Sequence, residues 1–152
     1  MRVYVASGLK NAENVKLVHR RLRELGHEVT YDWTTHGSVK HLGTSVMRQV
    51  ATDEQRGVET AHRLIVLLPP PGFETSGRGT HVELGVAIGL GTPVIIHSPV
   101  SEPFELKPCA FYFSRFVVAR TVGSIPWLLA NLERLLELSL IHISEPTRQA
   151  EI

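Results

Sequence analysis

Two rhythms of apolar residues alternate along this chain. Short, nearly continuous runs rich in β-branched residues occur at 2–6, 27–31, 63–68 and 94–97, with a weaker one at 116–119. Each is bounded by glycine, proline or polar residues, so each predicts a short strand. Between them the spacing becomes helical. Val15, Leu17, Val18, Leu22 and Leu25 recur among charges over 12–24, and Gly26 stops the run. Residues 43–61 predict a second helix with Val46, Val50, Val58 and Ala61 as its inward stripe. A third opens at Thr80 and closes near Gly91. Ser124 caps a last helix that tolerates Pro126 in its first turn and ends near Glu137. Pro99, Pro103 and Pro108 exclude a long helix from 99–115, which also carries the aromatic cluster Phe111, Tyr112 and Phe113.

Strands and helices alternating over short links predict one α/β domain. Its sheet is parallel, of about five strands, and doubly wound, that is flavodoxin-like or Rossmann-like. In such sheets ligands bind beyond the carboxyl ends of the strands. Those ends are Ser7-Gly8, Asp32-Trp33, the loop from Pro69 to Thr80, and His97-Ser98, and they should line one crevice. Trp33 reads as an exposed aromatic in a polar loop.

The totals narrow the chemistry. With 152 residues, 43% hydrophobic and 20% charged, the chain is an ordinary globular domain. A net charge of +1 leaves no electrostatic footprint for a nucleic acid polymer. The single cysteine, Cys109, excludes an internal disulfide and a cysteine-rich metal site. The eight histidines are scattered without metal-ligand spacing, and no metal or cofactor is expected. No apolar run reaches the roughly 18 residues that span a membrane. Met1 leads straight into a strand, so no signal peptide is read and the cytoplasm is the expected compartment.

The stretch that carries reactive groups is Ser76-Gly77-Arg78-Gly79-Thr80-His81-Val82-Glu83-Leu84-Gly85. A strand, a glycine-rich loop and a helix start present unpaired backbone amides and the positive end of a helix dipole, which favour an anion. Glu83, one turn into the helix, is placed to face that ligand as an ionised carboxylate at the mouth of the crevice. Taken alone, the Thr80-x-x-Glu83 spacing favours a capping box, with Thr80 at the N-cap and Glu83 folding back onto its amide.

Four segments together resemble the nucleoside 2-deoxyribosyltransferase superfamily, which includes deoxynucleoside-monophosphate N-glycosidases. They are Val3-Tyr4-Val5-Ala6-Ser7, Tyr31-Asp32-Trp33-Thr34, Glu54-x-x-x-Val58-x-x-Ala61 in an acidic helix, and Gly79-Thr80-x-x-Glu83-Leu84-Gly85-x-Ala87. The likeness covers about residues 1–137. It implies that Glu83 attacks C1′ of a (deoxy)ribosyl group, that the base leaves, and that water or a second base resolves the glycosyl-enzyme with overall retention. It implies a small nucleoside or nucleotide partner, no cofactor, and a homodimer or higher homo-oligomer. Tyr4 or Trp33 would stack on the base, and Arg78 would pair with a phosphate. Ser7, Gly8, Asp32, Ser76, Gly77, Gly79 and Thr80 would complete the substrate site.

The chain departs from the family in two places. An aspartate that holds the sugar hydroxyls is expected just before strand three, where this chain has His62. An acid is expected six residues before the nucleophile, where it has Gly77, leaving Asp32, Glu74 and His81 as unranked donors of a proton to the base. These departures keep a second reading open, a module of the same fold that binds a nucleotide without cleaving it. Residues 139–152 do not resemble the family. They read as translated sequencing-adapter sequence, so the domain is taken as 1–138.

Overall fold

The structure is a computed structural model that describes residues 1–72 and 77–140. Strands β1 (Arg2–Ala6), β2 (Glu28–Val29), β3 (Arg63–Leu67), β4 (Val94–Ser98) and β5 (Val117–Val122) form one sheet in the order β2-β1-β3-β4-β5. Every pairing is parallel. Five helices connect or follow them: α1 (Ala12–Glu24), α2 (Thr44–Glu59), α3 (Arg78–Leu90), the short α4 (Glu102–Glu105) and α5 (Ile125–Leu136). Helix α1 packs against α5 and α2 against α3, one pair on each face of the sheet. The chain winds first to one side of β1 and then to the other, so the switch point lies between β1 and β3. Among the described residues no helix is long and apolar enough to cross a membrane.

The three central strands explain the unbroken apolar runs. Val3 to Ala6, Leu64 to Leu67 and Val94 to Ile96 are buried on both faces. Gly91, at φ +74°, closes α3 in the left-handed conformation that lets the Thr92 N–H return to the Ala87 carbonyl at 2.9 Å. The Ser124 hydroxyl accepts from the Trp127 N–H at 3.2 Å and caps α5, as its sequence predicts.

The edges of the fold depart from the pattern. Strand β2 has two residues, because after the Thr30 N–H reaches the Val3 carbonyl at 3.0 Å the chain leaves the sheet. Strand β5 runs on to Val122 with a register shift opposite Val94 and Ile95. The proline-rich segment holds α4 and a 3-10 turn at Ala110–Phe113.

The largest correction concerns α2. Val46 is 37% and Met47 45% exposed, and only the last turns, through Gly57 and Val58, reach the core. What brings those turns down is the missing side chain at Gly57. A β-carbon there would lie 2.9 Å from both Tyr31 Cβ and Tyr4 Cδ2. Its carbonyl also accepts from the Thr30 hydroxyl at 2.8 Å.

Gly57→Ala is therefore expected to destabilise the protein. Overpacking costs about 1–3 kcal/mol, and the gain in helix propensity returns about 1 kcal/mol at most. A lowered urea midpoint at unchanged slope is the expected result; a midpoint at or above wild type contradicts the close approach.

Candidate active site

Helix α3 begins two residues earlier than the sequence reading places it. Gly77 is its N-cap, no side chain caps it, and Thr80 is already its third residue. The capping box is therefore not formed. Glycine is tolerated at an N-cap, so the helix absorbs Arg78 and Gly79. Thr80 and Glu83 then fall three residues apart on the face turned to the sheet. Thr80 is 5% exposed, and its hydroxyl has no partner among the described residues.

Glu83 receives a hydrogen bond at Oε2 from the Tyr4 phenol, which stands on β1 and is fully buried. Glu83 itself is only 9% exposed. Burial pushes its carboxyl up to about 8; the Tyr4 hydrogen bond pulls the other way, and the negative charge of Glu54 adds to the rise. At neutral pH the protonated form of Glu83 is therefore favoured. The expectation of an ionised carboxylate at the mouth of the crevice is thus corrected: the group is inside, and mostly protonated. Burial, the Glu83 charge and the hydrogen bond to it all push the Tyr4 phenol up, so it stays a donor.

Glu54 is the member of this cluster to which the sequence reading gives no catalytic role. It is half-buried on α2, burial pushes its carboxyl up, and its charge acts on both Tyr4 and Glu83. The signal was its spacing. Glu54 and Val58 lie one turn apart on a helix whose Val58 is in the core, so a carboxyl shares the inward face. His36 lies close enough to offset part of that rise. Its Nδ1–H donates to the Gly37 carbonyl at 3.0 Å, since a carbonyl can only accept, and Nε2 is buried without a partner among the described residues.

The other expected residues divide. Ser7 donates from its hydroxyl to the Leu67 carbonyl at 2.7 Å and accepts from Asn11 Nδ2 at 3.0 Å, tying together the carboxyl ends of β1 and β3. Gly8 starts the 3-10 turn that follows, and Arg78 and Gly79 lie on the first turn of α3, away from the core. Trp33 is 3% exposed and donates to the Val5 carbonyl at 2.7 Å. It is a core residue, not an exposed aromatic, and its indole N–H is spent on the backbone.

Burial pushes the Asp32 carboxyl up, but the Thr34 hydroxyl and amide, His19 and Arg23 outweigh it and hold it below the usual carboxylate range. An ionised, fully engaged group does not serve as proton donor. His62 sits at the amino-terminal edge of the sheet, where its Nδ1 accepts from the Arg2 N–H at 2.9 Å. That is the end opposite the crevice. Ser76 and Glu74 lie outside the described residues, as does the tail beyond residue 140.

Two cavities open near the carboxyl ends of the strands, of about 260 and 120 Å³. Gly77 and His81 line the first, His97 and Asn11 the second, and Glu83 lines neither. Among the described residues no group of three or more His, Cys, Asp or Glu side chains is placed to hold a metal ion.

The fold has solved counterparts. The CMP N-glycosidase BcmB of Clostridium botulinum superposes with a TM-score of 0.63 at 17% identity, over 88% of this chain and 99% of its own. A conserved protein from Enterococcus faecalis V583 gives 0.62 at 16%, over 88% and 98%. At these identities the likeness establishes the fold. A search of curated protein sequences returns no match. The family model for nucleoside 2-deoxyribosyltransferase matches residues 3–133, a span holding Tyr4, Glu54 and Glu83 together with nearly all of the sheet. By that match, the chain belongs to the nucleoside 2-deoxyribosyltransferase family.

Proposed function

We propose that this protein cleaves the N-glycosidic bond of a nucleoside or nucleoside 5′-monophosphate, with Glu83 as nucleophile and Glu54 as proton donor. The observation that carries the reading is the buried Tyr4–Glu83 hydrogen bond, with the Glu54 carboxyl within electrostatic range of both. Two carboxyl groups that feel each other's charge, one buried and one half-buried, cannot both ionise cheaply, so over a range of pH the pair holds one proton. With the proton on Glu54, Glu83 attacks C1′. The C1′–N bond breaks, its electron pair goes to the base nitrogen, and Glu54 protonates that nitrogen. Water then attacks C1′ of the glycosyl ester, gives a proton to Glu54 and releases Glu83; a second base in place of water gives transfer. Family membership and the C. botulinum glycosidase support a reaction of this class. The Thr80 hydroxyl, without a partner among the described residues, and the first turn of α3 are suited to hold a sugar hydroxyl or phosphate oxygen. We read the protein as a homodimer or larger homo-oligomer, in keeping with exposed Val82 and Leu90 on α3 and exposed Leu106 and Phe111 beyond it.

One observation favours the second reading, a nucleotide-binding module without turnover: Glu83 lines neither cavity and is mostly protonated at pH 7. A panel of nucleosides and 5′-monophosphates separates the two. Free base should appear with the wild-type protein and fall by about 10³-fold or more in Glu83→Gln, the scale of a lost nucleophile. Binding without base release would establish the module instead.

The pH profile tests the shared proton. Since turnover needs one proton on the pair, kcat/KM should be bell-shaped. Its rising limb should lie above the ordinary carboxylate range and its falling limb near 8. Tyr4→Phe removes a bond that favours ionised Glu83, so the falling limb should move to higher pH. A rate that climbs through 8 to a plateau would show that the pair supplies no proton.

Stability gives a readout independent of turnover. Folding raises the Glu83 pKa above its unfolded value, so its favourable contribution is complete below about 4.5 and is lost as pH rises through 8. Wild-type Tm should decline across that window, and Glu83→Gln should flatten the decline. Parallel curves for the two proteins would place Glu83 in water rather than in the core.

A further inference from the structure

His36 follows the 3-10 turn Trp33–Thr35 and is half-buried, with Nε2 inside and without a partner among the described residues. A buried polar atom left unpaired is costly, so Nε2 is a place where a donor belongs. The Gly37 carbonyl, 3.0 Å from Nδ1, determines what kind of partner that is. It can only accept, so Nδ1 carries the hydrogen, and the neutral ring offers a bare lone pair at Nε2.

The packing leads from that ring to Glu54. The His36 and Tyr31 rings lie 6.4 Å apart. Tyr31 Cβ covers Gly57, where a β-carbon would come within 2.9 Å of it. Glu54 stands one turn before Gly57 on α2. A charged His36 ring would hold down the Glu54 carboxyl that burial pushes up, so the two lie within electrostatic range. The other carboxyls of this neighbourhood are engaged. Asp32 is held by Thr34, His19 and Arg23, Asp53 accepts from Gln49 Nε2 at 2.9 Å, and Glu83 accepts from Tyr4. Glu54 forms no hydrogen bond or ion pair with another described residue. Besides His36, the titratable groups that face it are Tyr4, Tyr31 and Glu83.

A protonated carboxyl is a donor, and a neutral imidazole nitrogen is its acceptor. We propose that His36 is a positioning residue whose Nε2 accepts the O–H of Glu54, directly or through one water, and so keeps the shared proton of the pair on Glu54. Tyr4 donates to Glu83 and favours its ionised form, so the two contacts bias the pair toward the same arrangement. An imidazolium has no lone pair at Nε2, and its charge favours the Glu54 anion, which moves the proton to Glu83. What this arrangement does for catalysis rests on the glycosidic reading above; the hydrogen bond does not.

Ring ¹⁵N NMR of the full-length protein tests the bond directly, at the alkaline end of the imidazole titration. His36 should show hydrogen on Nδ1 and a bare Nε2, and in Glu54→Ala the Nε2 resonance should move toward the position of a free lone pair. Hydrogen on Nε2, or a resonance indifferent to Glu54→Ala, would overturn the proposal. Base release tests the consequence. His36→Lys carries a charge and no acceptor, so its kcat should fall about tenfold or more at nearly constant KM, the effect of one unit in relative proton affinity. His36→Gln keeps an acceptor and carries no charge, so its loss should stay within about threefold. Equal losses in the two variants, both folded by circular dichroism, would count against a role in placing the proton. The nitrogen shifts involve no turnover, so a failed base-release assay leaves them decisive. Base release with hydrogen on Nε2 removes this inference and leaves the glycosidic reading standing.

Discussion

A carboxyl group cannot be carried into a protein interior alone, and the Tyr4–Glu83 hydrogen bond is the contact by which this fold manages it. Much of the architecture serves that contact. Tyr4 occupies the middle of a strand flanked on both sides, so its ring cannot move without disturbing the sheet. Gly57 lets α2 settle against that ring and carries Glu54 with it. Helix α3 starts at Arg78, with Gly77 as its N-cap, early enough to turn both Thr80 and Glu83 inward. The outcome is a small polar cluster in low-dielectric surroundings, where each charge strongly alters the proton affinity of its neighbours.

The repeating framework of this domain was legible in the amino-acid order because burial on both faces writes itself as continuous apolar strands. Leu64 to Leu67 and Val94 to Ile96 have no polar interruption, and they lie at the centre of the sheet. The misreadings occur where a local pattern supports two packings. Val46 and Val50 have helical spacing, but the helix that carries them outruns the sheet, and spacing alone does not say where cover ends. Trp33 sits among polar residues in a loop, yet the Val5 carbonyl near a strand end draws its indole inside. Thr80 and Glu83 fit a capping box, and only the true start of α3 tells capping from burial. His62 adjoins the right strand at its wrong end.

The sequence singled out Glu83 and Tyr4 but not the hydrogen bond that joins them, and it gave the neighbouring carboxyl of Glu54 no part in the site. The sequence places Glu54 only in an acidic helix resembling one of the family's, with no role attached. Its place in the cluster depends on Gly57 three residues later, whose significance is a clash that exists only once β1 and α2 are packed. A fold shared at 17% identity with a CMP N-glycosidase does not transfer such details, since sites differ on a common scaffold. The chemistry has to be argued from the side chains present.

The exposed first half of α2 has a consequence for how the cluster exchanges protons with its surroundings. Glu54 stands at the boundary where the helix passes from bulk solvent to the interior, still partly wetted on one side and with Glu83 within electrostatic range on the other. Glu83, by contrast, is walled in by Tyr4 and the sheet. Hydronium and buffer therefore reach one carboxyl of the pair far more readily than the other. The outer group is thus the one through which the cluster trades protons with the medium, while the inner group is held against Tyr4.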